Sequence, residues 1–171
     1  MDDDLINFKR WFKEPILELQ RESNAGFIMV MTSVALLERY LREKTGTGQS
    51  KSLHPSFHVE FARLFPMISN DAAPKFWAVC RHGLMHQATF RTTFGGKNIT
   101  MGLHESAPII QHCYDSFGDM FMISPTKFSN RVIEVIENDF GTFKAPSSPD
   151  HPLSQQSSIS GYSGYSGSKR P

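Results

Sequence analysis

Cysteine is scarce in this chain, with two residues, Cys80 and Cys113, among 171. Two thiols build no disulfide framework. Cys80 lies in an apolar stretch, where a free thiol behaves as a small hydrophobe, so a reducing compartment is expected. Long apolar runs are missing too. The longest, "AGFIMVMTSVALL" (residues 25–37), falls about five residues short of a membrane span. The first residues, "MDDDLINF", are acidic and contain no apolar core of the kind a secretory signal needs. The reading is a cytoplasmic protein with no membrane association. An excess of one charge sign is also absent, since the formal net charge is +1. No global field draws in nucleic acid, and any contact with RNA or DNA must come from a local patch.

What is present suits one globular domain, with 39% hydrophobic residues in a chain of this length. Leu5, Phe8, Trp11, Phe12, Ile16 and Leu19 recur at helical spacing. Pro15 removes a backbone donor there and predicts a kink or two short helices. Asn24 is a candidate cap for a second helix running to about Lys44, which Gly46 and Gly48 end. "HPSFHVEFARLF" (54–65) reads as a short amphipathic helix with Pro55 in its first turn. Asp71 is a candidate cap for a further helix from about Ala72 to Gln87.

Beyond it, Gly95 and Gly96 form a two-residue hairpin turn. Counting outward pairs Phe94 with Lys97, Thr92 with Ile99 and Phe90 with Met101, which keeps one face consistent in both strands. The apolar region from Ala107 to Met122 is read as helical. "SPTKFSNRVIEVIENDF" reads as a final helix, capped by Ser124 with Pro125 behind it. After Lys144 the composition turns to Ser, Gly, Pro and Gln. Residues 145–171 are expected to form a disordered tail, because they bury too little to offset chain entropy.

The chemistry concentrates in "CRHGLMHQ", residues 80–87. With Phe76 at zero and α-helical winding, Phe76, Trp77, Val79, Cys80, Gly83, Leu84 and Ala88 share the core side. Arg81 then falls at ~140°, Met85 at ~180°, Ala78 at ~200°, His82 at ~240° and His86 at ~280°. This outward arc carries neither Lys nor Glu and includes a methionine, a composition that suits contact with another chain or a ligand. Gly83 costs roughly 1 kcal/mol against alanine inside a helix. Close approach of another backbone on its side would compensate. Spacing alone does not set an Arg–His pair apart in a chain with seven histidines.

"RHGLMHQ" resembles the signature of the HEPN superfamily: an arginine, a polar residue, a short spacer and a histidine, late in a helical bundle. Arg81, His82 and His86 match those positions. The kinked first helix, the long "NAGFIMVMTSVALLERYLREKTG" helix and the hairpin after the motif are similar to HEPN proteins of bacterial plasmids and defence loci. The resemblance covers about residues 5–140. It implies an all-α fold, a HEPN-like helical bundle over residues 1–144 with an inserted β-hairpin at about 89–103. It also implies a metal-independent endoribonuclease without cofactor, working as a homodimer through the motif helix. RNA would be the substrate, with the protein a toxin or defence effector that an antitoxin protein could accompany.

Such cleavage uses the RNA's own 2′-hydroxyl, so it needs a base, an acid and positive charge at the phosphorus. Histidine titrates near neutrality and serves as either acid or base. Arginine stays charged and offers a planar fork to phosphate oxygens. The expected roles are His86 as acid or base, Arg81 as phosphate clamp and His82 as positioning or second proton group. A two-fold contact would bring two copies of each into one cleft. The alternative is a non-catalytic HEPN module that binds RNA or a protein partner.

Other residues yield blander readings. His54 with His58, and His82 with His86, have i,i+4 spacing but lack the glutamate of a zinc motif, so no metal site is assigned. Glu38 either orients Arg81 across the bundle or pairs with Arg42 on its own helix, and the second is preferred. Lys9, Arg10 and Lys13 read as a solvated helix face, and Tyr162 and Tyr165 as part of a plain tail.

Overall fold

The structure, a computed structural model, describes residues 3–47, 53–116 and 118–144. The expected tail, residues 145–171, lies outside them, as does Gly48. The chain opens with α1 (Asp3–Phe8), a π-helical stretch at Lys9–Lys13, and α2 (Glu14–Leu19). The winding changes just before Pro15: the Glu14 N–H donates five residues back, to the Lys9 carbonyl. The helix thus absorbs the missing proline donor by widening.

Next come α3 (Gly26–Thr45), α4 (Pro55–Leu64) and α5 (Ala73–Ala78), which continues as π-helix through Val79–Met85. Four strands follow: β1 (Arg91–Phe94), β2 (Lys97–Leu103), β3 (Ile110–Asp115) and β4 (Gly118–Ile123). Finally, α6 (Pro125–Asn138) and α7 (Phe140–Lys144) close the described chain.

The helix ends show which local signals acted. Ser124 Oγ accepts from the Lys127 N–H at 3.3 Å, with Pro125 in the first turn, as its sequence predicts. Gly46 ends α3 in the left-handed conformation at φ 62°. Two predicted caps do not form. Ala25 holds the cap position of α3 and has no side-chain bond to offer, so Asn24 is not used. Ahead of α5, Ser69 Oγ rather than Asp71 accepts from the Ala72 N–H, at 3.2 Å.

The all-α expectation is corrected: the fold is mixed, with helices set against a four-stranded sheet of order β1-β2-β4-β3. The predicted hairpin does form, in the predicted register, with Phe94 opposite Lys97 and Thr92 opposite Ile99. It is half of the sheet rather than an insertion in a bundle. The second half is the region read as a helix. Here β3 and β4 pair antiparallel, and β4 enters beside β2 in parallel. Residues 107–122 are rich in apolar side chains at short range, and such a run fits strand and helix alike. Pairing with β2 settles it as strand, and the side chains then alternate. On β4, Asp119, Phe121 and Ile123 are buried while Met120 is exposed.

The sheet's inner face meets the helices through aromatic rings. Phe76 of α5 stacks on Phe61 of α4 at 4.9 Å and stands edge-on to Phe121 of β4 at 5.4 Å. Around α3, Val30, Val34, Leu37 and Leu41 are wholly buried. Inside the α3–α6 contact the Ser33 hydroxyl donates to Ser129 Oγ at 2.9 Å, so the buried pair is hydrogen-bonded.

One charged group is buried in the sheet. Asp119 is 2% exposed and accepts from Lys75 Nζ of α5 at 2.9 Å. It also lies 2.7 Å from His112 Nε2 of β3. Burial alone would raise its pKa. The hydrogen bonds and charges of Lys75 and His112 outweigh that and hold the carboxyl below its usual range.

Because the folded-state pKa is depressed, the stabilisation is complete above the ordinary value of 3.8 and is lost as pH falls through the folded value. Asp119→Asn is expected to cost about 2 kcal/mol at neutral pH. It should also flatten the acid limb of a urea-unfolding series. Equal stability of variant and parent at both pH 7 and pH 3 would refute this role.

Candidate functional site

The motif helix does not keep α-helical winding through the motif. From Val79 to Met85 it is π-helical, and the His86 N–H donates to the carbonyls of Arg81 and Gly83. In α-helical winding Arg81 and His86 lie ~140° apart, at opposite limits of an arc. In π-helical winding five residues close one hydrogen-bonded turn, so residues 81 and 86 stand roughly above one another. Single-turn π stretches recur at functional sites for this reason, since they re-aim side chains without breaking the helix.

Gly83 explains why the wider turn persists. A Cβ there would sit 2.9 Å from the Thr89 carbonyl oxygen and 3.1 Å from that of Arg91. The Thr89 N–H in turn donates to the Gly83 carbonyl at 3.1 Å. The close backbone approach anticipated for Gly83 is made by the chain's own next segment. That segment reverses direction through Ala88, at φ 50°, a left-handed conformation costly for a residue with a Cβ.

Arg81 is held from α3. Its Nε lies 3.3 Å from Glu38 Oε1, and the same carboxylate takes Arg42 Nη2 at 2.8 Å. Glu38 therefore does both things weighed for it: it pairs along its own helix and reaches across to the motif. The three side chains are mostly buried, with Arg81 22% and Glu38 19% exposed. Their attraction is screened less than that of a surface pair. Two guanidiniums thus share one carboxylate.

His82 and His86 are exposed, and their ring centroids are 6.1 Å apart. Met85 is 39% exposed beside them. Ala78, expected on the same outward arc, is buried, and Ala88, expected on the core side, is exposed where the chain leaves the helix. Cys80 is fully buried one residue before Arg81; burial first, then the Glu38 charge, push its thiol well above the ordinary value, which makes it inert. On α3, Ile28 (49% exposed), Met31 and Ala35 precede Glu38 at helical spacing. An apolar strip thus leads along α3 toward the Arg81 cluster.

The other sequence candidates separate from this site. His54 caps α4, its Nδ1 accepting from the Ser56 N–H at 3.3 Å. His58 is half-buried, and burial lowers its pKa. Lys13 forms an ion pair with Glu137 of α6 at 2.7 Å. Among the described residues, no three His, Cys, Asp or Glu side chains gather to hold a metal ion. A cavity of about 510 Å³ lies between the starts of α3 and α6, lined by Asn24, Phe27, Glu105 and Lys127 among others, and contains none of the motif residues. No described helix is long and apolar enough to cross a membrane.

The sequence reading missed the Lys75–Asp119–His112 network. The available signal was the alternation in "IQHCYD" and "GDMFMI", which puts His112 and Asp119 on the inward faces of paired strands. No family model, curated protein or solved structure matches this chain. These comparisons identify no HEPN relationship.

Gly83→Ala opposes two effects. Helix propensity favours alanine by roughly 1 kcal/mol. The clash is with backbone carbonyls, which cannot rotate away, and should cost about 1–3 kcal/mol more than that gain. Thermal unfolding should show a lower Tm, and a raised Tm would contradict the close approach.

Proposed function

We propose that this protein is a metal-independent endoribonuclease acting as a homodimer in the cytoplasm, of the kind found among HEPN toxins and defence effectors. The observation that carries the reading is one arginine held by a mostly buried carboxylate, beside two exposed histidines, one within the π-helical stretch and one at its C-cap. In this reaction the 2′-oxygen attacks the adjacent phosphorus and the bond to the 5′-oxygen breaks. One imidazole takes the 2′-hydroxyl proton, and a second protonates the departing 5′-oxygen. The products are a 2′,3′-cyclic phosphate and a 5′-hydroxyl, with no other reactant consumed. Arg81 stabilises the extra negative charge on the phosphoryl oxygens. Glu38 restricts its rotamers, so less freedom is lost on binding.

Dimerisation supports the same chemistry. Met85 lies within the motif, and exposed Ile28 and Ala35 lead along α3 to Glu38, so a two-fold contact across these side chains would bury apolar surface while juxtaposing two motifs. His86 from each copy then serves one phosphate, with His82 positioning it. A second reading, a non-catalytic module that binds RNA or a protein partner such as an antitoxin, is favoured by one feature. Arg81 is already engaged by Glu38, as a structural guanidinium would be.

Incubation with RNA in EDTA separates the readings. The enzyme yields 2′,3′-cyclic ends, and His86→Ala and Arg81→Ala each lower the rate roughly 10²- to 10⁴-fold while remaining folded. RNA bound but uncleaved supports the module. Sizing with light scattering should give a dimer that Met85→Asp disrupts; a monomeric parent would remove the shared cleft.

A further inference from the structure

The sheet carries a second surface, outside the motif, that neither the motif nor its chemistry accounts for. The register places Thr92, Ile99, Asp119 and Tyr114 in one row across the four strands. By the alternation of strand side chains, Phe94 and Lys97 lie on that same face, at the end of the β1–β2 hairpin. This is the face whose other end is buried against the helices. At the hairpin end the cover stops: Phe94 is 45% exposed and Tyr114 65% exposed. Lys97 reaches between them, its Nζ 5.7 Å from the centre of the Tyr114 ring. His112, two residues before Tyr114, is anchored through Nε2 to the buried Asp119 and has its ring stacked on Phe121 at 4.7 Å. The result is a row of aromatic, cation, aromatic, flanked by a fixed imidazole.

We propose that this row binds single-stranded RNA, with bases stacked on Phe94 and Tyr114 and the intervening phosphate on Lys97. The proposal deepens the ribonuclease reading by assigning it a separate substrate-holding surface. Exposed rings on a sheet accept any base, because every base has a π-face, and a lysine between them complements the backbone charge. Strand order separates β1 from β3 by three strand spacings, about 14 Å. The two rings therefore take bases that are not adjacent, which leaves room for a phosphate at Lys97 between them. A duplex keeps its bases stacked on each other and offers the rings nothing. The row also lies within reach of the motif. Gly83 abuts the Arg91 carbonyl, and Phe94 is three residues, about 10 Å, farther along β1.

The test uses the full chain carrying His86→Ala, so that bound RNA is not consumed, and a short fluorescein-labelled single-stranded RNA. By fluorescence anisotropy, Phe94→Ala and Tyr114→Ala should each weaken binding on the order of tenfold, while Tyr114→Phe binds like the parent. Lys97→Ala should lower the slope of log affinity against log salt by about 0.7. The corresponding duplex should bind more weakly than the single strand. Ultraviolet crosslinking should mark peptides containing Phe94 and Tyr114, which reads the site without relying on any variant's fold.

Unchanged affinity in both aromatic variants, or crosslinks confined to other elements, overturns the proposal. So does loss of dimer mass with RNA affinity intact, which would make this face a protein interface. Binding that depends on Phe94 and Tyr114, without cleavage by the parent chain, supports this surface and sinks the ribonuclease; cleavage with binding independent of both rings does the reverse. No binding of RNA at all overturns both.

Discussion

Where a methyl group on residue 83 would sit, the carbonyl oxygens of Thr89 and Arg91 are already at contact distance. That absence of a side chain governs much of the molecule. It lets the chain turn back immediately after the motif helix and lay β1 against it. The Thr89 N–H then bonds the Gly83 carbonyl, while that carbonyl also receives the His86 N–H. A backbone so engaged from outside has reason to depart from the ordinary helical ladder. The wider winding that results draws residues 81 and 86 onto one side. The sheet's position and the motif's geometry are thus two consequences of the same close contact.

Electrostatics then fixes what winding brings together. Glu38 is mostly buried and faces two guanidiniums, one from its own helix and one from the motif. A carboxylate there without either partner would be costly, and a guanidinium there without the carboxylate equally so. The same logic recurs on the other side of α5, where Lys75 reaches the buried Asp119. The motif-bearing helix is pinned by ion pairs at both ends, to α3 through Arg81 and to β4 through Lys75. Neither pair is a solvated surface bridge, so each constrains geometry as well as adding stability.

The candidate residues were legible, but their arrangement was not. Arg81, His82 and His86 stand out in the sequence because polar side chains interrupt an apolar helix, and Gly83 marks an approach of backbone. Regular winding, however, separates Arg81 from His86, and no local pattern announces a change to π-helix. The fold was legible up to the β1–β2 hairpin, whose register follows from two glycines and alternation on either side. Beyond it, residues 107–122 present a short apolar run in which helix and strand have similar local merit. Parallel pairing of β4 with β2 settles the matter, and that partner lies about twenty residues earlier in the chain.

The sequence by itself determined the features that depend on immediate neighbours. These are the Ser124 cap with Pro125 behind it, the left-handed stop at Gly46, the hairpin register and the burial of Cys80 on an apolar helix face. The tertiary structure decided which distant groups share a space. It placed Glu38 against Arg81 as well as Arg42, buried Asp119 between Lys75 and His112, and left Phe94 and Tyr114 uncovered at the sheet's end. Caps, turns and alternation are set within a few residues by sterics and hydrogen bonds. Strand order and the partners of buried charge depend on chain segments far apart in sequence, whose encounter no local pattern encodes.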